Sequence, residues 1–228
     1  MPHRKIQGLY SAGILGVGSA VPEKIMTNDD WAKLVDTSDE WIRTRTGIIE
    51  RHVAEDDTST CDLATAAAKK ALANAGLNAK DIDMIVVGTT TPDYPVFPSA
   101  GCVIQHKLGM ADVPAFDVSA ACTGFIYAVA VADQFIKTGA YKNVLVIGAD
   151  TISKYVDKTD RNVCVLFGDG AGAVVMGPVA EGYGVLSSTL KARGKGENLL
   201  KVEYGGSRTP LNPTNIKDKK HYVYMNGK

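Results

Sequence analysis

The stretch DVSAACTGFIYAVAVADQFIKTG, residues 117–139, decides the fold of this chain. It continues a short apolar strand, VPAFDVS (113–119), into a helical pattern that has almost no polar face in its first three turns. A helix that is apolar nearly all round is buried inside a fold and does not lie on its surface. We therefore expect a buried helix that begins at Cys122 and ends at Gly139, in an architecture of more than three layers.

Other apolar runs, separated by glycines, predict four further strands. They are nearly continuous in Val, Ile, Leu and Ala, which is typical of strands buried on both faces. The runs are AGILGVGSAV (12–21), IDMIVVGTT (82–90), NVLVIGAD (143–150) and GAGAVVMGPV (170–179). Helical patterns lie between them at 58–76 and 98–109, bounded by Ser/Thr or Pro at the start and Gly at the end. This alternation predicts an α/β fold with a largely parallel sheet.

Two glycine clusters, GILGVG (13–18) and GDGAGA (168–173), resemble phosphate-binding loops at first sight. A dinucleotide-binding loop needs a helix that opens at its last glycine, because the helix N-terminus holds the pyrophosphate. Pro22 follows the first cluster closely, and the second cluster runs into a strand. The clusters therefore favour tight turns and close backbone packing over phosphate binding.

The overall charge and the cysteine spacing exclude several classes of function. Lys plus Arg number 25 and Asp plus Glu number 25, so no net field favours nucleic acid or an anionic membrane. No apolar run approaches about 18 residues and the N-terminus has no long apolar segment, so we expect no membrane insertion. Four widely spaced cysteines without a CxxC pair predict reduced thiols and no metal site. We expect a cytoplasmic protein.

The composition changes at residue 191. The segment KARGKGENLLKVEYGGSRTPLNPTNIKDKK (191–220) is rich in Gly, Pro, Asn and Lys. Such a composition predicts a long irregular excursion, here with one short strand. The sequence is thus predicted to divide into residues 1–190 and an excursion over 191–228.

Cys122 stands where a strand turns into a helix. The partial positive charge at a helix N-terminus favours a thiolate and so a nucleophile, and a backbone N–H at such a turn can donate to an oxyanion. A buried cysteine that only packs is an equally common reading of a thiol in an apolar setting. The pattern alone leaves both readings open.

Five stretches together resemble one enzyme family. DVSAACTGF (117–125) resembles the nucleophile motif of the β-ketoacyl-acyl-carrier-protein synthase III family, condensing enzymes of the thiolase superfamily that start type II fatty acid synthesis. The other four, in the family's order, are DTSDEWIRTRTGIIERH (36–52), FPSAGCVIQHKLG (97–109), TDRNVCVLFGDGAGAVV (159–175) and GVLSSTL (184–190). The resemblance covers essentially the whole chain. It implies a thiolase-like layered αβαβα fold, mainly its N-terminal half, with the nucleophile elbow in residues 1–190.

The resemblance also implies roles for single residues. Cys122 matches the acyl-accepting nucleophile, and Phe97 matches a residue that reaches into the partner's acyl pocket in a homodimer. The residues that match the family's coenzyme A contacts lie in the stretches 36–52 and 159–175. They are Trp41 and Arg45, which match the planes that sandwich the adenine, Thr37, a nearby polar contact, and Arg161, a second arginine at the nucleotide end.

The implied reaction begins with acetyl-CoA or another short acyl-CoA, which acylates Cys122. Malonyl-acyl-carrier-protein then loses carbon dioxide and attacks, giving a 3-oxoacyl-carrier protein, with no metal or redox cofactor. The family's histidine and asparagine for this second step lie in its C-terminal half and have no match here, so the resemblance is to the N-terminal part. We expect residues 1–228 alone not to complete the condensation.

Two other functions stay open at this point. One is a thiolase-superfamily synthase that primes a polyketide or signal-molecule pathway with a different acyl group. The other is a non-catalytic half-domain that pairs with an active subunit. The presence of Cys122 argues against the second, because such a partner has no need of a thiol nucleophile.

Overall fold

The computed structural model describes residues 10–227 of the chain and divides them into two compact units. The first unit contains residues 10–21, 56–150 and 170–190, and the second contains residues 22–55, 151–169 and 191–227.

The strands of the described residues follow one another as β1 (Ser11–Ala20), β2 (Ile25–Thr27), β3 (Glu50–His52), β4 (Met84–Gly88), β5 (Ala115–Val118), β6 (Val144–Thr151), β7 (Asp169–Val179), β8 (Leu200–Val202) and β9 (Val223–Met225). The α-helices are α1 (Asn28–Ala32), α2 (Asp39–Thr46), α3 (Thr60–Ala75), α4 (Ala100–Lys107) and α5 (Gly124–Lys137). Between residues 10 and 227, no helix has the length and apolar character needed to span a bilayer.

The five predicted strands form one sheet in the order β1-β7-β6-β4-β5. β4 pairs in parallel with both β5 and β6, while β1 pairs antiparallel with β7. The α/β class and the strands are confirmed, but a parallel arrangement is wrong for the β1–β7 edge. A run of buried apolar residues shows that both faces are covered and carries no information on strand direction.

Helix α3 packs directly on β1. It begins with a capping box at Ser59 and ends at Gly76, which has the left-handed backbone of a helix C-cap. A Cβ at Gly16 would lie 2.5 Å from the Ala75 backbone nitrogen, and one at Gly18 would overlap the Ala67 carbonyl oxygen. The first glycine cluster therefore serves close helix–strand packing, as the sequence favoured.

Helix α5 covers the opposite face of the sheet. Alternate residues of a strand point to opposite faces: in β4, Ile85 and Val87 belong to the core with α3, whereas Met84 and Val86 belong to the core with α5. Only one side of α5 is buried, and Ile126 on the helix is 52% exposed. The expectation of a helix buried all round is thus confirmed on one face only.

The second unit has a small core of its own around Trp31, Ile42 and Val163. Its strands form two antiparallel pairs, β2–β3 and β8–β9. The one short strand expected within residues 191–220 is confirmed as β8, whereas β9 lies beyond that segment and was not predicted. Each has three residues, which is too short for a period-two pattern to be visible in the sequence.

Candidate active site and nucleotide site

Cys122 lies in a tight turn between β5 and α5. Residues Ala121–Thr123 form one 3₁₀ turn, and the α-helix begins at Gly124. The Ala120 carbonyl closes the turn by accepting from Thr123 twice, from the backbone N–H at 3.1 Å and from the hydroxyl at 2.7 Å. Cys122 therefore stands just before the first α-helical turn, not inside it as the sequence suggested, and its side chain is exposed.

The backbone next to the thiol is strained. Ala121 has φ +46°, a region that residues with a Cβ rarely occupy and that is found mostly at functional turns. The turn follows the carboxyl end of β5, whose neighbour β4 runs parallel to it. Sites in open α/β sheets lie at the carboxyl ends of the strands. The location and the strain together favour a presented nucleophile over a packing cysteine.

Asp117 locks the strand before the turn to the start of α4. Its two carboxylate oxygens accept the backbone N–H groups of Ala100 and Gly101, each at 2.7 Å. Both N–H groups are at the helix N-terminus, where a carboxylate is favoured. A Cβ at Gly101 would lie 2.9 Å from the Phe116 nitrogen, so the glycine permits this close approach.

Phe97 lies in the loop that joins β4 to α4 and is 80% exposed. The start of this loop is held by Asp150, which the sequence reasoning missed. Its Oδ1 accepts backbone N–H groups from Thr90 at 2.7 Å and Thr91 at 3.1 Å, and the hydroxyls of Thr89, Thr90 and Thr91. A carboxylate at a strand end beside three consecutive threonines is the signal that could have indicated it.

The other cysteines of the chain differ from Cys122 in environment. Cys61 and Cys164 are buried, and burial raises the pKa of both thiols, that of Cys164 to about 11. A buried thiol with a raised pKa is a poor nucleophile. Cys102 is exposed, and its Sγ lies 3.7 Å from the Ala115 carbonyl oxygen. Cys122 and Cys102 are thus the accessible thiols.

The second unit brings together three of the four predicted nucleotide contacts. Trp41 and Arg45 lie four residues apart on α2, a spacing that places them on one helix face. The guanidinium carbons of Arg45 and Arg161 each lie 4.6 Å from the centre of the Trp41 ring. Arg161 is also paired with Asp36 at 3.4 Å. An aromatic ring in contact with two cations has the chemistry to bind a purine with attached phosphates.

Arg45 and Arg161 lie so close to the Trp41 ring that no base fits between the ring and either guanidinium group. A purine stacked between the ring and a guanidinium group needs about 3.5 Å on each of its sides, or about 7 Å between the two planes. The guanidinium carbons lie only 4.6 Å from the centre of the Trp41 ring. A base could therefore stack on the face that either guanidinium covers only after that arginine moves.

Thr37 immediately precedes the N-cap of α2, and its hydroxyl is buried. Among the described residues this hydroxyl has no hydrogen-bond partner. A buried polar group without a partner is unusual in a folded protein, so this hydroxyl can still make a further hydrogen bond.

Sequence reasoning missed two buried polar residues of the second unit, Arg51 and Asn28. Arg51 Nη1 donates to Asn28 Oδ1 at 2.7 Å, and the two side chains are 5% and 1% exposed. An arginine between the apolar residues of IIERHVA (48–54) was the available signal. Within residues 10–227, no cluster of His, Cys, Asp or Glu has the composition to hold a metal ion.

Comparison with known proteins shows that this chain is similar to one enzyme family. Residues 116–194 match the family model for 3-oxoacyl-[acyl-carrier-protein (ACP)] synthase III. The chain is 54% identical over 217 residues to the beta-ketoacyl-[acyl-carrier-protein] synthase III of Caldanaerobacter subterraneus subsp. tengcongensis, covering 95% of this chain and 65% of that protein.

Solved structures of the same family have a fold similar to that of this chain. The crystal structure of 3-oxoacyl-[acyl-carrier-protein] synthase III from Aquifex aeolicus VF5 has a TM-score of 0.84 at 46% identity, covering 95% of this chain and 65% of that one. A 2.1 Å crystal structure of a 3-oxoacyl-(acyl-carrier-protein) synthase III gives a TM-score of 0.88 at 33% identity, covering 95% of this chain and 68% of that one. These similarities confirm the fold class that the resemblance implied. The chain spans about 65% of the length of the curated relatives it matches.

Proposed function

Because this chain belongs to the β-ketoacyl-[acyl-carrier-protein] synthase III family, we propose that it takes part in the condensing reaction that starts type II fatty acid synthesis. The observation that carries the proposal is an exposed Cys122 on a strained turn at the carboxyl end of a parallel strand. In this reaction Cys122 accepts an acyl group from acetyl-CoA or another short acyl-CoA.

The first step is thioester exchange. The Cys122 thiolate attacks the thioester carbonyl, a bond from Sγ to the acyl carbon forms, and the bond to the coenzyme A sulfur breaks. The coenzyme A thiolate leaves and takes up a proton from water. Negative charge develops on the carbonyl oxygen during the attack, and a backbone N–H of the 121–123 turn is the donor on this chain that is suited to stabilise it.

Coenzyme A is held at its nucleotide end by the second unit. The adenine stacks on Trp41 after displacement of a guanidinium, and Arg45 and Arg161 then face the base or its phosphates. Thr37 supplies the hydroxyl for a polar group of the nucleotide. The 4.6 Å contacts of both arginines with Trp41 support this assignment.

The second step consumes malonyl-acyl-carrier-protein. The malonyl carboxylate leaves as carbon dioxide, the electron pair of the broken carbon–carbon bond attacks the Cys122 thioester, and the Cys122 thiolate is released with a 3-oxoacyl-carrier protein. The histidine and asparagine that the family uses here are not matched in this chain. We propose that neither a metal nor a redox cofactor takes part, that the protein works in the cytoplasm, and that it binds neither nucleic acid nor membrane.

The assembly proposed for this protein is a homodimer. Phe97, 80% exposed in its own chain, reaches into the acyl pocket of the partner. The division proposed for the chain is a thiolase-like N-terminal half over residues 1–190 and an irregular excursion over 191–228, of which the structure describes residues 10–227.

Two experiments separate this function from its alternatives. Intact-mass measurement after incubation with acetyl-CoA should show one added acetyl group, retained in C102A and lost in C122A. C102A is the matched control because Cys102 is the other exposed thiol. Absence of an adduct would favour a non-catalytic partner. A panel of acyl-CoA lengths then decides between an acetyl-type primer and the longer or branched primers of a polyketide or signal-molecule synthase.

A further inference from the structure

Arg51 is a buried cation whose hydrogen bonds all go to uncharged oxygens. It lies on β3, its Nε donates to the Val165 carbonyl at 3.0 Å, Nη2 donates to the same carbonyl, and Nη1 donates to Asn28. Burial lowers the pKa of this guanidinium. A buried charge without a counter-charge destabilises a fold unless its hydrogen bonds are well made, so its partners indicate its purpose.

Val165, whose carbonyl is the first partner of Arg51, belongs to the turn that carries Arg161. In this turn the Asp160 carbonyl accepts the backbone N–H groups of Val163 at 3.1 Å and Cys164 at 2.9 Å, which leads the chain on to Val165. The stem of Arg51 also needs space beside this segment. Gly168 provides it, since a Cβ there would lie 2.9 Å from the Arg51 Cβ.

The second partner, Asn28, reaches both ends of α2. Its Nδ2 donates to Asp39 Oδ1 and to the Ile48 carbonyl, both at 2.8 Å. Asp39 is the first residue of α2, and Ile48 lies two residues after its end. An amide that bonds to both ends of so short a helix fixes the position of Trp41 in its first turn.

We propose that Arg51 and Asn28 are positioning residues for the nucleotide end of acyl-CoA, joining the helix of Trp41 to the turn of Arg161 through one continuous chain of hydrogen bonds. The inference rests on the proposed function. Trp41 and Arg161 belong to segments far apart in the sequence, and a sandwich around a flat base tolerates little variation in its spacing. A link made in the free protein reduces the ordering that binding would otherwise require.

Three variants divide this link into its parts. N28D keeps an acceptor for Arg51 but turns an oxygen toward the Asp39 carboxylate and the Ile48 carbonyl, so only the connection to α2 is broken. Adding D39N to N28D places an amide donor opposite the introduced carboxylate and should recover the link in part. R51M removes both connections. D169N is the matched control, because Asp169 is 7% exposed in the same unit and bonds to Ala54 and Ser153 instead.

The measurement is the dissociation constant of adenosine 3′,5′-bisphosphate, the nucleotide half of coenzyme A, by calorimetry on the protein. We expect N28D and R51M to weaken it about tenfold, the equivalent of one lost charge-assisted hydrogen bond. Acylation of Cys122 by S-acetyl-pantetheine, which has no nucleotide, should keep its rate. D169N should lower the melting temperature without changing the dissociation constant, and N28D with D39N should recover part of the loss. If R51M does not fold, N28D and the double variant decide.

W41A separates the two proposals. If W41A weakens the bisphosphate but N28D and R51M bind it as D169N does, the positioning role is overturned and the proposed function stands. If W41A does not weaken it, the nucleotide site itself is wrongly assigned, and the positioning role is overturned with it.

Discussion

The last residue of β4, Gly88, and the first residue of α5, Gly124, are in backbone contact. A Cβ at Gly88 would lie 2.5 Å from the Gly124 carbonyl carbon, and one at Gly124 would lie 3.3 Å from the Gly88 Cα. Cys122 stands two residues before Gly124. The contact therefore fixes how closely the turn of the nucleophile approaches the edge of the sheet.

G88A should displace this turn. We expect a loss of about 1–3 kcal/mol in the free energy of unfolding, as for other overpacked sites, and a slower acylation of Cys122 by acetyl-CoA. Urea unfolding and intact-mass kinetics measure the two effects. G172A on β7 is the control, since a Cβ there meets nothing within 4 Å. Equal behaviour of the two variants would contradict the role given to the contact.

Cys122 should be the thiol alkylated fastest near neutral pH. Cys61 and Cys164 are buried with raised pKa values, so iodoacetamide should modify them only on unfolding. Cys102 is the informative comparison, because it is exposed and also lies near a helix start. Peptide mapping over time gives the order, and labelling of Cys102 ahead of Cys122 would count against an activated nucleophile.

W41A and R45A should weaken acyl-CoA more than a short acyl-N-acetylcysteamine thioester, which has no adenine. The loss of one stacking partner is about 1–3 kcal/mol, as for bases stacked on aromatic side chains. R43A is the matched control. Arg43 lies on the same helix but pairs with Asp39 at 3.3 Å. Equal losses with both thioesters would show that Trp41 and Arg45 support the fold and not the nucleotide.

Asp62 should make the stability of the first unit depend on acid pH. Burial alone would raise its pKa, but hydrogen bonds from Lys107 and Ser59 outweigh this and lower it from 3.8 to about 2. A carboxyl with a depressed folded pKa stabilises the protein above its unfolded pKa, and this contribution is lost as pH falls through the folded one. D62N should therefore be less stable than the parent near neutral pH, with a difference that shrinks between pH 3.8 and about 2.

The control for this pH dependence is D112N, which changes an exposed carboxylate at a residue with φ 59°, a conformation that asparagine also adopts. Thermal unfolding across the acid range gives the comparison. A difference between D62N and the parent that stays constant down to about pH 2 would contradict the assignment to the Asp62 carboxylate.

The sequence predicted the elements of the first unit well because each has a local signal. The capping residues Ser59 and Gly76 bound α3 as expected, and the apolar runs became the strands of one sheet. Strand direction at the β1–β7 edge was missed because pairing is a long-range property that burial does not encode. Of the two three-residue strands after residue 190, β8 was expected and β9 was missed, because three residues are too few to show a period.

The candidate site divides in the same way. The pattern alone left Cys122 open between a nucleophile and a packing residue, and the resemblance singled out Trp41, Arg45 and Arg161 without predicting that both arginines contact the Trp41 ring. Arg51 and Asn28 were not predicted, since their importance comes from hydrogen bonds between segments distant in the chain. The role of a buried polar residue follows from its hydrogen-bond partners, and a single sequence does not show which distant residues those partners are.

The left-handed backbone of Ala121 makes the stability of the fold and the reactivity of Cys122 depend in opposite ways on the residue at position 121. A glycine there would relieve a strain of about 1–2 kcal/mol, so A121G should melt at a higher temperature than the parent. The same change would free the turn to sample other shapes, and the thiol of Cys122 would spend less time facing its acyl donor. Selection for a sturdier protein and selection for a faster one would then favour different residues at position 121, as happens where a fold stores strain beside its reacting group.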